Sequence, residues 1–384
     1  MRLMGGAGAF VLVAGITLAA CGTAAPPPGT PRPAASSVQA AQAATQQPGP
    51  APSPTPSPTQ PVFAGNPDGH AFVPAVARPA GTSHPAHVVG DGIAASCTSQ
   101  AVVAAVAAGG VITFSCGPRP VTITMTATAK VRNTSSRVVL DGGGKVTLSG
   151  GGTRRILYMD TCDPAQVWTT SHCQDQSSPK LIVQNMTFRD GNSTGQSFDG
   201  GGGGAIFDRG GQLKVIDSRF TGNRCDATGP DPGGAAIRAL SQYRSRPVYI
   251  VQSTFRDGMC SNGGALSSIG VSWVVLNSVL THNQAIGWGA NPARGGTPGG
   301  GSGAAIYTDG DLYTVTVAGT VIAFNHAKEG GGAIFFVSND HTGTLAIRHS
   351  RLHHNPSDGF ETPGYPGIFF LGRGQPLVTA SSLT

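Results

Sequence analysis

From about Gly90 to the C-terminus, short apolar runs alternate with glycine-rich turns. Val111-Ile112-Thr113-Phe114, Val121 to Met125, Val138-Val139-Leu140 and Val146-Thr147-Leu148 are the first of these runs. Each is too short for a helix and rich in β-branched residues, which predicts strands. Thr98 to Ala108 (TSQAVVAAVAA) is the exception. Its alanines favour a helix, Thr98 or Ser99 can cap the start, and Gly109-Gly110 stop it.

Beyond this point two elements repeat. One ends in a core apolar residue, at Phe188, Phe220, Phe255, Leu280 and Leu352, with a degenerate copy at Ile322. Asparagine follows at Asn223, Asn283, Asn325 and Asn355. The other is Gly-Gly-Ala-Ile or a variant, at Gly203, Gly234, Gly263, Gly303 and Gly331. Five copies at a period of about 30 residues predict a repeat architecture. One coil of two or three short strands cannot bury its apolar residues, but stacked coils can, with about 4.8 Å between strands. The pattern therefore predicts an all-β fold, a right-handed single-stranded parallel β-helix over residues 90–384. The helix would close its first coil, whose core and strand edges are otherwise open. A propeller would need blades of four longer strands, and a sandwich has no reason to repeat Gly-Gly-Ala.

Alternating GGA[IL] and F-x-x-N elements resemble the repeats of chlamydial polymorphic outer membrane proteins and, more broadly, the pectin-lyase-like β-helix superfamily. The resemblance covers about Cys97 to Thr384. It implies surface display, adhesion or polysaccharide chemistry. The chain departs from autotransporter-type members because no membrane barrel follows the repeats.

The N-terminus changes the expected compartment. Arg2 precedes an apolar stretch, Ala7 to Ala20, too short for a permanent span. It ends in Leu18-Ala19-Ala20-Cys21, small residues before a cleavage point, as in a secretory signal. This ending also resembles the bacterial lipobox, which implies lipidation at Cys21 and anchoring on the extracytoplasmic face of the cell membrane. The signal would span residues 1–21. Residues 22–89 are dominated by Pro, Ala, Ser and Thr, a composition that cannot bury a core, and are expected to form a disordered linker.

Six cysteines remain, an even number in an exported chain. Short separations favour nearest neighbours: Cys97–Cys116, Cys162–Cys173 and Cys225–Cys260. Zinc would want Cys-x-x-Cys spacing, which does not occur. No motif implies a metal or another cofactor.

The charge of +6 comes from 25 basic and 19 acidic residues in 384, with no Lys/Arg run. A nucleic-acid partner therefore has no patch to rest on, whereas weak attraction to acidic wall polymers is compatible with the excess. Longer insertions fall at one phase of the coil, at residues 191–202, 224–232, 285–301 and 356–367, and would wall a groove suited to a polymer. Trp168, Trp288 and Tyr365 are candidate platforms for sugar rings; the alternative is that they cover glycine-rich turns.

If the coils stack in register, Arg256 and Asp257 lie beside His282, a grouping capable of acid–base work on a polysaccharide. The alternative is a solvated turn. The Asn-Thr-Asp, Asp-Asp and Gly-His-Gly elements of polygalacturonase-type hydrolases do not occur. Acidic residues are spread over turns, although Asp199 and Asp208 could approach one another. The expectation is a surface-anchored, non-catalytic protein that binds glycans or other surface polymers. The alternative is a carbohydrate-active lyase, epimerase or hydrolase.

Overall fold

A computed structural model describes residues 64–197, 200–290 and 296–384. Cys21, the signal segment and the first part of the linker lie outside the described residues, as does Asp199. The fold is all-β: a parallel β-helix with one α-helix. A 17-stranded sheet forms one side of the coil and an eight-stranded sheet the other, with a small three-stranded sheet between them. Every strand pairing between named strands is parallel.

Equivalent residues stack in columns, as the repeat predicts. Phe188, Phe220, Phe255, Leu280, Ile322 and Leu352 pair in register from coil to coil. The three phenylalanine rings stack with centroids 5.0 and 4.6 Å apart and nearly parallel planes. All six are buried. In the eight-stranded sheet, Ile206, Ile237, Leu266, Ile306, Ile334 and Ile368 form the facing column. Trp273 joins the core and donates its indole N–H to Ser268 Oγ at 2.8 Å.

Two polar ladders satisfy the bends that these columns require. Along the first, each backbone N–H donates to the hydroxyl of the next coil: Ser218 to Ser253, Ser253 to Ser278, Ser278 to Thr320 and Thr320 to Ser350, at 3.1–3.2 Å. The steps are 35, 25, 42 and 30 residues long, so insertions are absorbed without losing register. Along the second, Asn283 donates from its backbone N–H and its Nδ2 to Asn325 Oδ1, and Asn325 does the same to Asn355 Oδ1. Buried amides are expensive to leave unpaired, and this arrangement uses both ends of each side chain.

The helix spans Ser99–Ala108, with the Thr98 side chain accepting from the Ala101 N–H at the N-cap. Val102, Ala105 and Val106 face the core and close the first coil. The three disulfides are Cys97–Cys116, Cys162–Cys173 and Cys225–Cys260, with Cα–Cα distances of 5.7, 4.9 and 4.8 Å. The first ties the capping helix to the first coil.

One expectation is corrected. Composition predicts a disordered linker through residue 89, but residues 64–89 lie as a strap along the outer face of the 17-stranded sheet. Asn66 Nδ2 donates to the Gly319 carbonyl, and His87–Val89 forms a strand paired with Gly110–Phe114. The strap thus runs against the direction of the solenoid. Its Ala77 is buried on an outward apolar column, Ile216, Val251, Leu276 and Ala318. Composition argues against a core of the strap's own; it does not argue against docking through backbone groups.

Candidate functional site

The registered neighbourhood of Arg256, Asp257 and His282 lies on the surface. Arg256 pairs with Thr281 across adjacent coils, so Asp257 and His282 occupy the same column. Both have positive φ, 57° and 56°, as do Asp190, Gly222, Phe324 and His354 at equivalent places. The column is a left-handed bend that ends the strand. Arg256 Nε bonds Asp257 Oδ2 of its own coil at 2.8 Å, with both side chains about half exposed. Arg189 and Asp190 repeat the pair at 3.0 Å. His282 Nδ1 bonds Thr281 Oγ1, and its ring stacks on Phe324, which stacks in turn on His354. Arg256, Asp257 and His282 partner neighbours within the column and stand on an exposed ridge, whose far end at Phe324 and His354 borders a cleft.

The aromatic candidates divide between two corners. Trp168 follows the strand Leu157–Asp160 and precedes Lys180–Arg189, on the return to the large sheet. Trp288 and Tyr365 precede the strands Ile306–Gly310 and Ile368–Leu371, at the opposite corner. Trp168 is 37% exposed and Trp288 49%. Tyr365 packs against the core and donates its hydroxyl to Gln375 Oε1 at 2.9 Å. The insertions at this phase pack down on the eight-stranded sheet. Arg155, Phe207 and Arg238 point outward there yet are buried, Arg155 bonding the carbonyls of Gly202 and Gly203. Asp208 points inward and is wholly buried, with Gln242 Nε2 donating to it.

A cleft of about 470 Å³ remains at that face, lined by Lys130, Arg155, Tyr158, Asp163 and Gln196 among others. Burial holds the Arg155 guanidinium down to about 10, and burial followed by the Asp160 charge pushes the Tyr158 phenol up. Charges of both signs line it, and Tyr158 is 7% exposed. A second cleft, about 590 Å³, lies beside Phe324, His326 and His354, where His326 Nε2 bonds Asp358 Oδ1 at 2.7 Å. Among the described residues no three His, Cys, Asp or Glu side chains converge as metal ligands.

The most coherent site lies on the large sheet, beside the strap. A groove of about 380 Å³ is lined by Lys180, Ile182, Gln212, Lys214, Arg246 and Tyr249, with Val76 of the strap as its other wall. Strand alternation builds it. In Gln212–Ile216 and Val248–Val251 the apolar residues flanking Lys214 and Tyr249 point inward, so these two point out and pair in register. Ile182 precedes Lys214 in that row, and Lys180 precedes Gln212 in the next. Arg137 continues the second row beyond Lys180. Arg246 Nη1 bonds Gln212 Oε1 at 3.1 Å, and Arg244 and Arg246 lie 5.2 and 5.6 Å from the Tyr243 ring centre.

Every charged residue lining the groove is therefore a cation. Burial holds the Lys214 ammonium below the ordinary lysine value. The arrangement concentrates positive charge over an apolar floor and supplies N–H donors along the solenoid axis. None of these residues was singled out from the sequence, since they are scattered over three coils. The signal was present in the alternation: Lys214 between Leu213 and Val215 reads as an outward position in a half-buried strand.

No family model, curated protein or solved structure matches the chain.

Proposed function

We propose that this is a surface-anchored, non-catalytic protein whose β-helix binds an anionic polysaccharide or related acidic surface polymer in the groove beside the strap. The observation that supports this reading most is the lining, in which Lys180, Lys214 and Arg246 carry the charge over Ile182 and Tyr249. Rows of outward side chains repeat from coil to coil at strand spacing, about 4.8 Å, which suits a ligand with repeated charges better than a compact one. A groove of one sign also raises the local concentration of an oppositely charged polymer. A glycan is favoured over single-stranded nucleic acid because only one aromatic ring, Tyr249, lines the groove, whereas base stacking uses a series of rings. Lipidation at Cys21 would hold the domain at the extracytoplasmic face of the membrane, and the resemblance to surface-displayed β-helix proteins is in keeping with that placement. The acid–base reading of Arg256, Asp257 and His282 draws no support from groups already bonded along an exposed ridge.

The test is a polymer panel with the full chain: polygalacturonate, neutral dextran and single-stranded DNA. Retention on polygalacturonate, lost in Lys180→Gln/Arg246→Gln, is expected. Equal retention on dextran, or an undiminished double variant, would refute the groove; preference for DNA would refute the glycan.

A further inference from the structure

We infer that the middle of the strap, Phe72 to Pro79, is a flap whose docking competes with the ligand of the groove. This rests on the groove reading above. The strap is held by two side-chain amides that each grip one strap residue at both backbone groups. Asn277 Oδ1 accepts from the Ala71 N–H at 2.7 Å and its Nδ2 donates to the Ala71 carbonyl at 2.9 Å. Gln184 Oε1 accepts from the Ala80 N–H at 2.9 Å and its Nε2 donates to the Ala80 carbonyl at 3.1 Å. Between these clamps the connection to the sheet is different in kind. Lys214 Nζ donates to the carbonyls of Val76 and Arg78, at 3.2 and 2.6 Å, and Ala77 packs on the apolar column.

Lys214 belongs to both structures. It lines the groove, and two of its three N–H donors are committed to the flap. A carboxylate or sulfate arriving between Lys180 and Arg246 offers Lys214 an anionic acceptor in place of neutral carbonyls, which adds ion–ion attraction to bonds that the ammonium already makes charge-assisted. Val76 forms the opposite wall, so a ligand that widens the groove presses on the same segment. When Lys214 turns to the ligand, the flap keeps only the Ala77 and Val73 contacts with the sheet, while Asn277 and Gln184 retain its ends. Occupancy thus opens the flap without freeing the strap. By reciprocity, loosening the flap must strengthen ligand binding by the same factor.

Amide hydrogen exchange on the full chain, with and without polygalacturonate, tests this. Exchange at Ala77 and Arg78, whose N–H groups close the flap's own turn onto the Pro74 and Ala75 carbonyls, is expected to accelerate about five-fold or more on saturation while Ala71 and Ala80 stay protected. Ala77→Asn, which undocks the flap without adding charge, is expected to bind polygalacturonate several-fold more tightly. Binding with unaltered exchange at Ala77 and Arg78, or unchanged affinity in Ala77→Asn, overturns the flap and leaves the groove standing. Absence of polygalacturonate binding in both proteins overturns the two together.

Discussion

Gln184 grips Ala80 across more than one hundred residues of sequence, its amide accepting from the Ala80 N–H and donating to the Ala80 carbonyl. The same amide nitrogen reaches Asp141 Oδ2 at 2.9 Å, and Thr82 Oγ1 donates to that oxygen at 3.0 Å. One outward position on the sheet therefore holds both the strap and the carboxylate beside it. Gln184→Ala removes both bonds to Ala80 and is expected to weaken strap docking by about 1–2 kcal/mol, since a typical net hydrogen bond contributes about 1 kcal/mol. Limited proteolysis near Arg78 should become faster while the solenoid's melting temperature hardly changes. Unchanged cleavage would show that the clamp contributes nothing.

Asp141 also gives the strap a pH dependence. Burial works to raise its carboxyl, but hydrogen bonds from Asn185, Gln184, Gly143 and Thr82 outweigh it and hold the group below the ordinary carboxylate value. A carboxyl lowered in the folded state stabilises above its unfolded value, about 3.9, and loses that contribution as pH falls through the folded one. Exchange protection of Ala80 should therefore fall in acid below about pH 4 and be less pH-sensitive in Asp141→Asn. Equal acid sensitivity in the two proteins would contradict this.

Asp208 has the opposite sign. It points into the core, where burial foremost, and the Asp160 charge further, hold its carboxyl well above the usual range against the Gln242 bond. Its neutral form is the stable one. The stability associated with it is complete below the unfolded value and is lost as pH rises toward the folded value. Asp208→Asn keeps an acceptor for Gln242 and removes the ionisation. Its advantage over the wild type should grow by about 1.4 kcal/mol per pH unit from about pH 4 upward until the raised folded value is reached. Urea denaturation at a series of pH values measures this, and a gap independent of pH would contradict it.

The asparagine ladder should be the most sensitive polar element of the solenoid. Asn325→Ala leaves the Asn283 backbone N–H without its acceptor, takes one of the two acceptors of Asn283 Nδ2 (the Phe255 carbonyl remains), and removes the side-chain donor to the Leu280 carbonyl. Buried unpaired groups cost about 1–3 kcal/mol each, so a loss above about 2 kcal/mol is expected in denaturant titration. A loss below about 0.5 kcal/mol would mean that water replaces the ladder at no penalty.

How much of this was legible in the sequence follows from what each element is made of. The columns through Phe220, Phe255 and Leu280 repeat because stacked coils need identical inward positions. The three disulfides follow from short separations along neighbouring stretches. The strap is not legible because Pro74, Pro79 and the alanines between them carry no periodicity, and both amide clamps hold it by backbone atoms that any residue has. The groove was missed because Lys180, Lys214 and Arg246 become neighbours only when coils of unequal length are aligned. Conversely, Asp257 and His282 were correctly aligned by the repeat, but register alone does not show that Asp257 is bonded to its own Arg256.

The most direct measurement is the salt dependence of polygalacturonate binding to the full chain, wild type beside Lys180→Glu/Arg246→Glu. Wild-type affinity should fall steeply as ionic strength rises, and the charge-reversed protein should bind at least about ten-fold more weakly at low salt with a shallower slope. Affinity indifferent to salt, or equal in the two proteins, would contradict a cationic groove as the binding site.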